Sequence, residues 1–286
     1  MLELLINPKK AERKPWQMLF IGLVYGFLSL ILASLIFSKD AVLSQYSGVF
    51  VITFCVIFSM PFIYYTLKLE ERKDREYAGE FGLLREHSRA LWAFLWLFLG
   101  FVIAFSIWYT AFPGGENFFR AQVETFCQIN NPDSISDYVR QYGLEKPEAI
   151  TGNTAVGTRF LSIFSNNIYV LIFTLVLSLA FGAGAIFILA WNASVIAAAI
   201  GIFMKSDITH LPLAMARYLI HGLPEIAAYF IAAISGGILS IAIIRHDTRS
   251  PKFWSIMLDA IALMLIGIAV LFVSALIEVF ITPKLF

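Results

Sequence analysis

The sequence reads as an all-α, polytopic integral membrane bundle, and three observations carry that reading. Of 286 residues, 59% are hydrophobic and 14% charged, with mean hydropathy +0.78. An ordinary globular domain is about 45–50% apolar and about 25% charged, so too little polar surface is present to coat a soluble core of this size. Several apolar stretches reach the roughly 20 helical residues needed to cross a hydrocarbon layer. Trp16, Trp92, Trp108, Trp191 and Trp254 fall near the ends of those stretches, where indole rings form an interfacial belt. A net charge of +1 gives no basic field for nucleic acid. With only Cys55 and Cys127, neither a disulfide framework nor a cysteine metal cluster can be built.

Taken in order, the predicted spans are 16–37, 48–67, 91–112, 168–190, a short run at 193–204, a long run at 211–244 containing Gly222 and Pro224, and 254–281. The total is about seven, with the short run either crossing or re-entering. The first run is too long for a cleavable signal peptide and lacks a nearby small-residue cleavage site. Lys9, Lys10, Arg13 and Lys14 precede it, and Lys68, Arg72, Lys73, Arg75, Arg85 and Arg89 follow the second. Basic residues in short loops face the cytoplasm, so the N-terminus and that second loop are expected inside. Arg245, Arg249 and Lys252 place the loop before the last span inside as well, which requires 193–204 to cross and puts the C-terminus outside. The chain divides into a three-span region with a basic cytoplasmic loop (1–112), an extracytoplasmic loop (113–167) and a C-terminal membrane bundle (168–286).

The outer loop carries short amphipathic helices. Phe119, Val123 and Phe126 recur at helical spacing, as do Ile135, Tyr138, Val139 and Tyr142 between Ser134 and Gly143, and Phe160, Ile163 and Phe164 lead into the fourth span. Small residues four apart let helices approach closely in lipid. Ala228, Ala232, Gly236 and Ser240 form such a row, as do Ala193, Ala197 and Gly201, and Ala180 with Gly184. The fourth, fifth and sixth helices are therefore expected to form one tight unit.

Ionisable groups at membrane depth cost roughly 2.5–3.5 kcal/mol each on insertion scales, which makes them functional candidates. Arg217, His221 and Glu225 share one helix face, where Glu225 would orient His221 or pair with Arg217. Gly222 and Pro224 argue for a break there, with a new helix starting at Pro224 and its dipole facing Glu225. Asn166 and Asn167 lie at the same level, as caps opening the fourth span, so the two clusters can meet. Asn192 falls at the inner turn between the fourth and fifth spans. Asp259 and Glu278 lie near the two ends of the last span, within reach of water. Metalloprotease, nucleophile-elbow and phosphate-loop patterns are missing, so no catalytic, cofactor or metal residue is assigned.

The residues Asn166-Asn167, Asn192 and the run His221-Gly222-Leu223-Pro224-Glu225 followed by a small-residue helix make this sequence resemble the stage II sporulation protein M family over 160–245. That resemblance implies an integral membrane protein without catalytic activity or cofactor, which acts as a scaffold. In sporulating relatives it organises cell-wall hydrolases during forespore engulfment. The expected partners are the bilayer and proteins at the outer face or within the membrane, with a homo-oligomer possible and no nucleic acid. A small-solute or ion transporter or channel built around His221 and Glu225 is the alternative, and an intramembrane hydrolase using His221 the weaker one.

Overall fold

A computed structural model describes residues 8–37, 39–40, 42–77, 83–130, 156–181, 185–204, 209, 211–244 and 251–285. Among them no strand occurs, and seven helices are long and apolar enough to cross a membrane. A short helix α1 (Pro8–Arg13) is followed by α2 (Met18–Phe37), α3 (Ser47–Tyr77) and α4 (Leu83–Ala111). On the loop side come α5 (Arg120–Asn130), then α6 (Val156–Phe181), α7 (Ile186–Met204), α8 (Leu211–Ile244) and α9 (Pro251–Leu276). A π-helical turn, Ile277–Ile281, and a last helix α10 (Thr282–Leu285) end the described chain.

Local chemistry sets several boundaries. Before α3, the Asp40 carboxylate accepts hydrogen bonds from the backbone N–H groups of Val42 (2.9 Å) and Leu43 (2.8 Å). Those donors hold its pKa below the usual carboxylate range. After α4, Gly114 takes a left-handed conformation at φ 70°, which turns the chain into a 3-10 segment, Gly115–Phe119. The helix expected around Phe119, Val123 and Phe126 is α5. The one expected between Ser134 and Gly143 lies outside the described residues. Phe160, Ile163 and Phe164 do not form a separate helix; they are the first turns of α6.

The fourth and fifth spans differ from expectation. α6 ends at Phe181, and α7 runs for 19 residues, so the fifth span is no longer short. The apolar run extends almost unbroken from 168 to 204, and Asn192 is the strong polar residue that hydropathy takes for its interruption. In the structure Asn192 sits inside α7, where its amide donates to the carbonyl of Ile188 at 2.8 Å. A helix satisfies such a side chain locally, so a lone Asn need not end it.

Within the bundle α8 is the centre. The most apolar window of its span is 83% buried, against 17% for that of α6, which is peripheral. α8 packs on α6 and α9 along most of its length and also on α3 and α7. Phe230 of α8 meets Phe94 (5.3 Å between centroids) and Phe98 (6.4 Å, edge-on), and Phe94 stands edge-on to Phe62 at 6.0 Å. These rings join the first three spans to the last four.

The small-residue rows behave differently from one another. Gly236 lies so close to α6 that an added Cβ would stand 2.7 Å from the Leu175 carbonyl oxygen, and the Ser178 hydroxyl donates to the Ala233 carbonyl at 2.6 Å. Ala193, Ala197 and Gly201 face mainly α4, with Gly201 against the ring of Tyr109. α7 therefore belongs more to α4 than to α6, which corrects the expected trio. Spacing shows that a close face exists without naming its partner. Ala180 is exposed, and the buried row of α6 is instead Asn167, Leu171, Thr174 and Ser178. Gly184 lies outside the described residues.

Two residues near the connection between α4 and α5 are buried against expectation or at a cost. Trp108 is only 8% exposed, stacked on Phe112 at 4.2 Å and edge-on to Phe118, so it is not part of the interfacial belt. Trp16, Trp92 and Trp254 are each exposed by more than half. On α5, Gln122 is fully buried against Gly48, and neither of its amide atoms has a hydrogen-bond partner among the described residues. Removing both polar atoms relieves that desolvation. Gln122→Leu is expected to stabilise the detergent-solubilised protein by roughly 1–2 kcal/mol, read as a higher thermal midpoint; a lower midpoint would show that the amide is satisfied.

Candidate functional site

Where α6, α8 and the end of α9 meet, a polar cluster interrupts the apolar core. Asn167 on α6 is nearly buried and bridges two side chains of α8. Its Nδ2 donates to Glu225 Oε1 at 2.7 Å, and its Oδ1 accepts from the Tyr229 hydroxyl at 3.0 Å. The amide suits this position because it has one donor face for a carboxylate and one acceptor face for a phenol. Glu225 and Tyr229 are one helical turn apart and so present both groups to the same partner. Ser274 on α9 comes within 3.5 Å of the same Glu225 oxygen.

The expected helix break at Gly222–Pro224 does not occur. α8 is continuous from Leu211 to Ile244 with Pro224 inside it. Proline lacks the N–H that would bond the carbonyl four residues back, and its ring crowds that turn. The freed carbonyl is that of Ile220; at the same turn the Ser274 hydroxyl donates to the neighbouring His221 carbonyl at 2.7 Å, which ties α9 to α8 beside the proline. Packed between α6 and α9, the helix continues through Pro224. Just beyond Ser274 the chain widens into the π-helical turn Ile277–Ile281, a geometry that often marks functional positions. Thr282, one turn farther on, places its hydroxyl 3.3 Å from His221 Nδ1. Glu278 lies on this turn, close enough to act electrostatically on both Glu225 and Tyr229, with Arg159 acting on it in turn.

The structure thus brings together Asn167, His221 and Glu225 of the residues singled out by sequence, and sets the others apart. Asn166 is exposed, about 100° around α6 from Asn167. Both asparagines sit well inside α6, so neither caps it. Arg217 does not pair with Glu225; its guanidinium lies over the Phe203 ring, 5.3 Å from the centroid, and 6.0 Å from that of Tyr218. His221 is met by the Thr282 hydroxyl while Glu225 takes the Asn167 amide, so Glu225 does not orient the imidazole. Gly222 is buried, but an added Cβ would meet only Ile196 Cδ1 at 3.5 Å, an ordinary contact. Asn192 is occupied within α7. Glu278 faces the cluster instead of simply reaching water.

Tyr229, Ser274, Glu278 and Thr282 were not singled out by sequence as members of this cluster. Ser274, Glu278 and Thr282 are spaced four apart in an otherwise apolar span, and that polar row was the available signal. A second cluster lies at the C-terminal end of α3, where the sequence places Lys73 in a basic loop. Glu70 is fully buried and lies within 2.5 Å of His87 Nδ1 on α4, while Lys73 reaches Glu70 at 2.6 Å and Glu12 of α1 at 2.9 Å. The helix that carries Glu70 and Lys73 outruns its apolar stretch, ending at Tyr77, so these charges meet in an interhelical junction.

The Stage II sporulation protein M family model matches residues 18–283. The likeness therefore extends well beyond the 160–245 core on which the sequence motifs rest, and takes in the first three spans. An uncharacterized protein of Methanocaldococcus jannaschii is 31% identical over 131 residues, covering 44% of this chain and 72% of that protein. No solved structure matches.

Proposed function

Because this chain belongs to the stage II sporulation protein M family, we propose that it is a non-enzymatic multi-pass scaffold that organises partner proteins at the cytoplasmic membrane. Cell-wall hydrolases fill that role in the family's sporulating members, and the partner class here follows by analogy. What supports the reading is the use to which the polar groups are put. Asn167, Glu225, Tyr229 and Ser274 tie α6, α8 and α9 together through hydrogen bonds. The N-terminus and the Lys68–Arg89 region face the cytoplasm in this reading, and the C-terminus lies outside. Partners dock at the outer face or within the membrane, beside lipid.

Mild crosslinking in native membranes followed by co-purification tests this. A reproducible partner set that is lost in Glu225→Ala is the expected result; a solitary protein whose behaviour is unchanged by Glu225→Ala would sink the proposal. One observation favours transport as a second reading: Pro224, a π-helical turn and two carboxylates, Glu225 and Glu278, converge at one level of the bundle. Transporters place irregular helices and ionisable groups together in this way. Liposomes separate the two readings, since a scaffold moves neither ions nor solutes across a broad panel.

A further inference from the structure

The junction at the inner end of α3 holds more charge than a bundle needs for packing. α1 lies against α3 and α4 with Ala11 and Glu12 turned inward, 1% and 8% exposed, and Lys9 and Arg13 turned out to water. Glu12 reaches Lys73 Nζ with both oxygens, at 2.9 and 3.0 Å. The same ammonium is 2.6 Å from Glu70, whose other oxygen takes His87 Nδ1. Two acids thus share one lysine, with His87 behind them and Glu71 also buried on α3. Among the described side chains, the other cations near this junction stay at the periphery: Lys14, Arg72 and Arg89 are exposed and Lys68 is half-buried.

From this geometry we propose that the Glu12–Glu70–Lys73–His87 junction is a proton-controlled latch, which holds α1 against the bundle on acidification and releases it as pH rises. With Glu12 ionised, it and Glu70 both draw on the Lys73 ammonium in a buried place. A proton on Glu12 lets it share a hydrogen bond with Glu70 while Lys73 serves the remaining charge. Burial, and then the Glu70 carboxylate beside it, push the Glu12 pKa from 4.5 up to about 7, against the pull of Lys73. In the released helix the carboxyl returns toward its ordinary value. The docked state therefore binds the proton more tightly, so docking is favoured below pH 7 and weakens as pH rises through it. With those two values, the docking equilibrium falls about tenfold between pH 6 and pH 8 and flattens above.

A nitroxide at Lys9→Cys, in a Cys127→Ser background and in nanodiscs, reports the docking of α1 by its mobility from pH 5.5 to 8.5. The expected result is a mobile fraction that grows as pH rises to about 7 and levels off above, and a Glu12→Gln variant that stays docked throughout. Mobility independent of pH in the otherwise native chain overturns the proposal. So does a Glu12→Gln variant that keeps the transition, because another group would then be titrating. Release of Glu12→Gln at every pH overturns it too, since the Lys73 ion pair and not the proton would be what holds the helix.

Discussion

Asn167→Leu is expected to destabilise the protein by about 2–4 kcal/mol, whereas the same change at the adjacent Asn166 costs less than about 0.5 kcal/mol. The leucine leaves Glu225 Oε1 without its closest donor and the Tyr229 hydroxyl without its acceptor, both in the interior. Hydrogen bonds between membrane helices are individually modest, often below 1 kcal/mol, because the separated helices find other partners. The larger figure here comes from stranding two buried groups with one substitution. Reversible unfolding in mixed micelles measures both variants. Equal losses at the two positions would mean that the amide contributes no more than its helix propensity. A double-mutant cycle with Glu225→Gln then isolates the pair, for which a coupling of roughly 1–3 kcal/mol is expected.

Adding a side chain at Gly100 is expected to be damaging in proportion to its size. Gly100 of α4 and Gly22 of α2 bring two backbones into contact: a Cβ on Gly100 would run into the Leu19 carbonyl oxygen and stand 2.8 Å from Gly22 Cα and Leu23 N. One turn on, a Cβ at Gly26 would lie 2.7 Å from that of Ala104. Such contacts hold membrane helices together, since lipid supplies no hydrophobic drive between them. Backbone cannot swing aside as a flexible side chain can, so α2 and α4 must separate. Gly100→Ala is expected to cost about 1–3 kcal/mol and Gly100→Leu more, to the point of poor recovery of folded protein. Gly222→Ala, which meets only a side-chain methyl, serves as the tolerated control. If Gly100→Ala and Gly22→Ala each lower stability but the double variant loses less than their sum, both act at the same contact.

The sequence made the membrane class and most of the helices legible, because hydropathy follows directly from the cost of placing polar groups in hydrocarbon. It also located Asn167, His221 and Glu225, since a polar residue within an apolar run stands out. The partners of these residues were harder to see. Gly22 and Gly26 form a small-residue pair as plain as Ala228 and Ala232, yet which faces meet depends on how the helices are arranged around α8. Helix ends inside long apolar runs were also hidden, as Asn192 shows, because a helix can satisfy a polar side chain internally. The break expected at Pro224 suits an isolated helix; in the bundle α8 runs on through it, with Ser274 of α9 donating to the His221 carbonyl at the same turn.

By itself, then, the sequence determined an all-α membrane bundle of about seven spans and the polar residues worth attention; these follow from the transfer energetics of each residue and from spacing along one helix. Only the tertiary structure decided that Asn167 links Glu225 to Tyr229, that Arg217 rests on aromatic rings, and that Glu12 closes a buried charge junction with Glu70, Lys73 and His87. Each of those is an interaction between helices, and its energy depends on distance and shared burial that no local pattern encodes.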